Sequence, residues 1–237
     1  MSFKWLEPAR VVHMPDNPVV TARFHAPQVS SPGEVIELPK DEATHLTRVL
    51  RLGVGASIRV FNGRGGEFDA VVASVSRNRV QVNVGAPRNA AAEPRVSVTL
   101  AQAVLKGDKM DDVVRDAVMM GVAAIQPIVT THTEVTRAAL ERGRRRERWE
   151  RIAIASAKQC GRATVPVVLE PRTFDEACTA LGHMTLPGPG LMFVEPAAAD
   201  GALTLRELAR PAPRATTVVV GPARGFSAEE IVRGSAP

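Results

Sequence analysis

The hydrophobic period of the chain changes once, across Gly85-Ala86-Pro87-Arg88-Asn89-Ala90-Ala91-Ala92-Glu93-Pro94, and this predicts two folding units. Before that segment the apolar residues recur at every second position. Ser57-Ile58-Arg59-Val60-Phe61 alternates, Asn62-Gly63-Arg64-Gly65-Gly66 supplies a turn, and Glu67-Phe68-Asp69-Ala70-Val71 resumes the alternation. Asn-Gly between alternating runs signals a hairpin, because both residues tolerate positive φ. Arg79-Val80-Gln81-Val82-Asn83-Val84 puts valine on one face only. Residues 23–84 therefore read as a small β-barrel with one solvated face, interrupted by a helix near Asp41 to Leu50. The segment 85–95, small residues bracketed by prolines without periodicity, is the expected linker. Residues 1–22, with Pro8, Pro15 and Pro18, read as an extended leader without the apolar run of a signal peptide.

Beyond the linker, over 96–237, strands and helices alternate. Val96–Val104 is a candidate strand, and a helix follows from Asp108 to Met120, stopped by Gly121. Ala124–Val129 reads as a buried strand and Arg144–Cys160 as a long helix. Leu191–Val194 and Thr217–Val220 read as two more apolar strands. This order predicts an α/β domain with a parallel sheet and helices on its faces. Ligands of such sheets bind at the carboxyl ends of the strands, which directs attention to the loops after Val104, Val194 and Val220.

Lys+Arg of 30 against Asp+Glu of 25 gives a formal charge of +5, a mild excess that favours an anionic partner. Two cysteines, Cys160 and Cys178, cannot build a disulfide framework, and no Cys/His spacing resembles a zinc site, so no metal is expected. No stretch approaches the roughly 20 apolar residues that cross a bilayer. A reducing cytoplasm is the expected location.

The most informative segment is Thr217-Val218-Val219-Val220-Gly221-Pro222-Ala223-Arg224-Gly225-Phe226-Ser227-Ala228-Glu229-Glu230-Ile231. A β-branched strand runs into a Gly-Pro turn and a second glycine. Ser227 and Glu230 have the spacing of a capping box. Glycines permit close backbone approach to a ligand, although a tight βα turn without a ligand has the same signature. The dinucleotide spacing G-x-G-x-x-G is absent, and no phosphate-loop motif supports a nucleotide-dependent enzyme. Lys106 and Lys109 lie at a strand's carboxyl end where a helix begins. Positive charge there opposes the helix dipole, which a phosphate would relieve; a solvated loop is the alternative. Arg142, Arg144, Arg145, Arg146, Arg148 and Arg151 form the densest basic run, suited either to RNA phosphates or to a solvated helix face, with Trp149 directed to the core. His45, Arg48 and Arg51 recur at three-residue steps and, with Arg59 and Arg64, make a candidate basic edge.

These segments, in this order, resemble the bacterial 16S ribosomal RNA uridine N3-methyltransferase family, a branch of the SPOUT (trefoil-knot) methyltransferases. The resemblance is carried by His45-Leu46 through Val49-Leu50-Arg51-Leu52, Asn62-Gly63-Arg64-Gly65, Leu100-Ala101-Gln102-Ala103 and Lys106-Gly107-Asp108-Lys109-Met110. It continues through Gly121-Val122, Gln126-Pro127, Arg148-Trp149, Gln159-Cys160-Gly161-Arg162 and Gly221-Pro222 with Gly225-Phe226-Ser227. It implies a PUA-like RNA-binding domain followed by a knotted α/β domain that binds S-adenosylmethionine and dimerises where the knot is complete. It implies 16S ribosomal RNA or the small ribosomal subunit as partner. By the same resemblance Gly221, Pro222 and Gly225 line the cofactor, the loop at Glu195 and Pro196 is an earlier part of the knot at that site, and Lys106 and Arg162 face RNA or help the structure; the basic residues Arg48, Arg51, Arg64 and Lys109 are the other candidates for RNA contact. No catalytic base is identified. Three departures stand out, the first being Val118-Met119-Met120-Gly121-Val122 where the family commonly has Thr-Glu-Leu-Gly-Val. Ala223 and Arg224 replace the acid and a glycine of the family's Gly-Pro-Glu-Gly-Gly loop, and the chain ends at Pro237 where the family continues into a further strand. The expectation is therefore a truncated chain with an incomplete knot, either methylating N3 of a uridine or persisting as an inactive RNA-binding relative.

Overall fold

The computed structural model describes residues 21–77, 79–182, 188, 190–195 and 213–234. The expected leader lies almost wholly outside them.

The first domain is a five-stranded sheet in the order β1-β3-β4-β5-β2, comprising β1 (Arg23–His25), β2 (Val35–Glu37), β3 (Ser57–Phe61), β4 (Glu67–Ser76) and β5 (Arg79–Arg88). Only β1 and β3 run parallel; the other pairs are antiparallel. The edge strands β1 and β2 are not neighbours in the sheet, so the expected barrel is a bent sheet. Two register shifts between β4 and β5, at Phe68/Ala70 and Val72/Ser74, bend it. Helix α1 (Lys40–Thr44) passes into a π-helical turn at His45–Val49 and covers the concave face with Ala43 and Leu46. Alternation places Ile58, Val60, Phe68, Ala70, Val80, Val82 and Val84 in that same core. Strand β5 runs to Arg88, where Asp69 accepts from its guanidinium at 3.0 Å, so the first four residues of the expected linker belong to the sheet.

The second domain carries a sheet in the order β10-β11-β6-β7-β8, with β9 also on β7. Its strands are β6 (Ser97–Ala103), β7 (Ala124–Val129), β8 (Val167–Val168), β9 (Arg172–Thr173), β10 (Gly190–Phe193) and β11 (Ala215–Val220), all paired in parallel. Helices α2 (Lys109–Met120) and α4 (Arg145–Cys160) pack on one face through Met110, Val114, Val118, Trp149 and Ala153. Helix α5 (Phe174–Gly182) covers the other face with Phe174 and Ala177 against Ala101, Ala103, Ile128 and Val219. A short helix, α3 (Arg137–Arg142), precedes α4 and sends Leu140 into the first of these cores. Gly121 and Gly161, both left-handed, end α2 and α4. Trp149 is 1 % exposed, as its helix face predicts.

Arg23 joins the domains. Its guanidinium donates to both Glu67 oxygens at 3.0 and 3.1 Å, and to the carbonyls of Ala157, Lys158, Gly161 and Arg162 at the end of α4. Ala157 and Lys158 are among the acceptors a helix leaves unsatisfied at its C-terminus, and Gly161 and Arg162 follow its end, so one fork caps the helix and pairs with a buried carboxylate. Lys158 reaches back to Glu42 at 2.6 Å. The β3–β4 turn completes the joint: Val165 N–H donates to Gly63 O at 2.9 Å and Gly65 N–H to Ala163 O at 3.1 Å.

Candidate active site

Strand β11 lies between β10 and β6, and its carboxyl end opens into residues 221–227 before the last helix, α6 (Ala228–Gly234). A cavity of about 350 Å³ forms there, lined by Phe193–Glu195, Val220–Phe226 and Ile231. Its size falls within the range of small-molecule sites, roughly 300–1,000 Å³. The two glycines have definite reasons. A Cβ on Gly221 would lie 2.9 Å from Cε2 of Phe226, which folds back over it and packs on Phe174 at 5.6 Å. Gly225 has φ +72° and donates to Pro222 O at 2.9 Å, which closes the turn. The buried Gln102, on β6, donates to Ala103 O at 3.0 Å and to Gly221 O at 3.5 Å.

The capping box forms as its spacing predicts: Glu230 N–H donates to Ser227 Oγ at 3.3 Å, and Ser227 N–H to Glu230 Oε2 at 2.9 Å. The other Glu230 oxygen accepts from Thr131 N–H at 2.8 Å and Thr131 Oγ1 at 3.1 Å. His132 Nδ1 lies 3.1 Å from Gly225 O. Two residues at the end of β7 thus hold both limbs of the glycine loop. Beside them Lys106 pairs with Glu134 at 2.8 Å. The hydrogen bond and charge of Lys106, helped by Arg224 and Lys109, keep the Glu134 carboxyl below its usual range.

Of the residues expected at the cofactor, Gly221, Pro222, Gly225 and Glu195 line this one cavity, and Pro196 lies outside the described residues. Lys106 and Lys109 are exposed beside it, at the carboxyl end of β6 and the first turn of α2. Arg48, Arg51 and Arg64 are exposed on the first domain, away from the glycine loop in sequence and fold. Arg64 sits on the turn that meets Thr164. Arg162 is placed differently. It is 7 % exposed, and its guanidinium donates to Val118 O at 2.8 Å, Val122 O at 3.0 Å and the Glu93 carboxylate. Of its two expected roles, this geometry fits the structural one: it ties α2 to the linker. Half of the arginine run is engaged within the fold. Arg146 pairs with Glu150 and Glu170, Arg148 with Asp108 and Asp111, and Arg151 donates to Glu147 O.

A larger, more open cavity of about 950 Å³ lies between α6, the end of β7 and the start of α5. None of residues 221–226 lines it, so it lacks the close backbone approach expected of the cofactor loop. Sequence reasoning missed Thr131 and His132, and had Glu230 only as a cap. No local pattern marks the two threonine-rich loop residues, because their partners lie 93 to 99 positions away.

Comparison with known proteins agrees with this two-part architecture. A model described as an RNA methyltransferase PUA domain matches residues 38–85, and one described as an RNA methyltransferase domain matches residues 92–236. Ribosomal RNA small subunit methyltransferase E of Rickettsia conorii is 26% identical over 199 residues, covering 83% of this chain and 75% of the relative. The protein of the same name from Synechocystis is 31% identical over 153 residues, 62% of this chain and 48% of that protein. The chain thus matches about half the length of some curated relatives and three quarters of another. Among solved structures, a methyltransferase of Legionella pneumophila in complex with S-adenosylmethionine is 28% identical with TM-score 0.81, covering 92% of this chain and 86% of that one. Ribosomal RNA small subunit methyltransferase E of Neisseria gonorrhoeae, bound to S-adenosylmethionine, is 28% identical with TM-score 0.79, covering 90% and 85%.

These matches correct one expectation. They place the second domain with the small subunit methyltransferase E fold, and the SPOUT trefoil-knot assignment, with its incomplete knot, gives way to it. That assignment extended a resemblance carried by short motifs to a chain path. A Gly-Pro turn or a Leu-Ala-Gln-Ala strand fixes local geometry and does not encode threading. With the methyltransferase model covering most of the chain and the PUA model preceding it, the chain belongs to the family of RNA methyltransferases that join these two domains.

Proposed function

We propose that this chain is an S-adenosylmethionine-dependent ribosomal RNA methyltransferase that modifies N3 of a uridine in 16S ribosomal RNA. The observation that carries this reading is the cavity at the carboxyl ends of β10 and β11, built on Gly221, Pro222 and Gly225 within an RNA methyltransferase family domain. The residues fit the cofactor. Phe193, Val194, Val220 and Ile231 offer apolar walls, the glycine turns bring backbone polar groups to the cavity, and Glu195 supplies a carboxylate. The sulfonium, when bound, supplies an already activated methyl group, so the protein's task is positioning and control of a proton.

N3 of uridine carries a proton that must leave as the nitrogen attacks. A positive field favours the uridinate, and Arg224 lines the cavity, with Lys106 and Lys109 acting on the same Glu134 carboxylate. No side chain is assigned as general base. Exposed Arg48, Arg51 and Arg64 form the proposed RNA surface of the first domain, with Lys106 and Lys109 continuing it on the second. A cytoplasmic location belongs to this reading; no helix among the described residues is long and apolar enough to cross a membrane. So does a homodimer, for which the exposed Met119 and Met120 of α2 offer apolar surface and sedimentation is the test.

The test is calorimetric titration with S-adenosylmethionine followed by transfer of labelled methyl to undermodified small subunits. Saturable binding and a labelled N3 support the reading. A folded chain that binds no cofactor refutes it. Binding of RNA alone favours the second reading, an inactive RNA-binding relative, for which the observation is Ala223-Arg224 in the cofactor loop.

A further inference from the structure

The glycine loop is short of internal support. Within residues 221–227 the backbone closes on itself through Gly225 N–H to Pro222 O, and beyond that bond the loop leans on its neighbours for its shape. Those neighbours are adjacent in sequence. Thr131 and His132 are separated by one residue from the carboxyl end of β7, and each reaches a different limb of the loop. His132 Nδ1 takes the carbonyl of Gly225, the residue held at φ +72° on the cavity wall. Thr131 binds Glu230, whose second oxygen fixes Ser227 N–H at the loop's far end.

We infer that Glu230 and His132 are positioning residues for the cofactor, holding the 221–227 loop open in its binding shape through the end of β7. The inference rests on the reading of that cavity as the S-adenosylmethionine pocket. Neither side chain lines the glycine-loop cavity, Glu230 facing the larger one instead, so each acts on that pocket through the loop. The chemistry of Glu230 is specific. Its carboxylate is 8 % exposed, and its two oxygens accept from two different backbone N–H groups, Thr131 and Ser227. Only an acceptor at both ends satisfies both. An amide offers one oxygen and one NH₂. Gln at 230 therefore keeps the capping box by turning its oxygen to Ser227, and sets a donor against the Thr131 N–H. The helix stays capped while the bond from the Thr131 N–H is lost, leaving only the Thr131 hydroxyl to accept from the amide. For His132 the requirement is one N–H donor at the Nδ1 position, which Asn reproduces and Leu does not.

The experiment compares the whole chain with Glu230→Gln, His132→Leu and His132→Asn. It reads S-adenosylmethionine Kd by calorimetry, melting temperature without ligand, and KM for undermodified small subunits. Glu230→Gln and His132→Leu are expected to weaken the cofactor roughly tenfold, the effect of one lost hydrogen bond. Melting temperature should fall by only about 2–4 °C, the cost of that one bond, the RNA KM should stay near wild type, and His132→Asn should recover most of the affinity. Unchanged affinity in Glu230→Gln and His132→Leu overturns the inference, as does equal weakening by Asn and Leu, or a loss that tracks the folded fraction. Failure of the wild-type chain to bind the cofactor instead overturns the cavity assignment itself, which separates the two ideas.

Discussion

Replacing Arg23 by Met should uncouple the two domains. The guanidinium is 12 % exposed and Glu67 6 %, so the pair lies in a poorly hydrated environment and its partner would be left as a buried, unpaired carboxylate. Removing one member of a buried pair costs about 3–5 kcal/mol. The four carbonyls at and just beyond the end of α4 lose their donor as well, although water can reach some of them once the side chain is gone. A net loss of about 3 kcal/mol is the working expectation, which for a chain of this size lowers Tm by roughly 6–12 °C. Urea unfolding in a Trp5→Phe background isolates the signal of Trp149, which reports the second domain, and far-UV circular dichroism reports both. Coincident transitions in the parent should separate in Arg23→Met, with the first domain melting independently. The double replacement Arg23→Met/Glu67→Met removes the stranded charge and should recover part of the loss. A loss under about 1 kcal/mol, or transitions that stay coincident, would refute the argument that this fork joins the domains.

Three further outcomes follow from the geometry. Gly63→Ala should destabilise by about 1–3 kcal/mol in denaturant titration, since φ is +75° and the new Cβ would lie 2.9 Å from His25 Nε2. His25 itself is held below its ordinary value of 6.5, chiefly by burial, with Lys158 and Arg64 adding to the effect against Asp41. The unfolded chain then binds the proton more readily, so stability is full above pH 6.5 and falls as pH drops through the folded value. His25→Gln should flatten the urea midpoint between pH 7.5 and 5.5. Arg162→Met should reduce the folded fraction, by about 3 kcal/mol in urea, before any effect on RNA affinity appears, because its partners are Glu93 and two α2-side carbonyls. Selective loss of RNA binding in a fully folded variant would restore Arg162 to the RNA surface.

Much of the fold was legible because periodicity is a local property. Strict alternation located β3, β4 and β5, and the helical spacing of Val114, Ala117 and Val118 with Gly121 beyond located α2. Strands of two or three residues, such as β1, β2, β8 and β9, carry too few positions to show a period. Helix α5 was missed, and β5 runs past the expected start of the linker. At the site, Gly-Pro, the second glycine and the Ser227–Glu230 spacing marked the loop. The Thr131–His132 support was invisible, since a hydrogen bond across 93 positions leaves no spacing signature. Arg23 and Arg162 show the same limit: charge in a sequence does not say whether a fork of donors meets water or backbone carbonyls.

The strand order carries a consequence for synthesis. Everything in the first sheet is contained between Arg23 and Arg88, so that domain can close while the rest of the chain is still being made. In the second sheet, β6 is the first strand to emerge, yet one of its two neighbours is β11, from Ala215 to Val220. At roughly 5–20 residues per second the intervening chain takes on the order of ten seconds to appear. Throughout that interval one edge of β6, from Ser97 to Ala103, lacks its partner and stays open to pairing elsewhere.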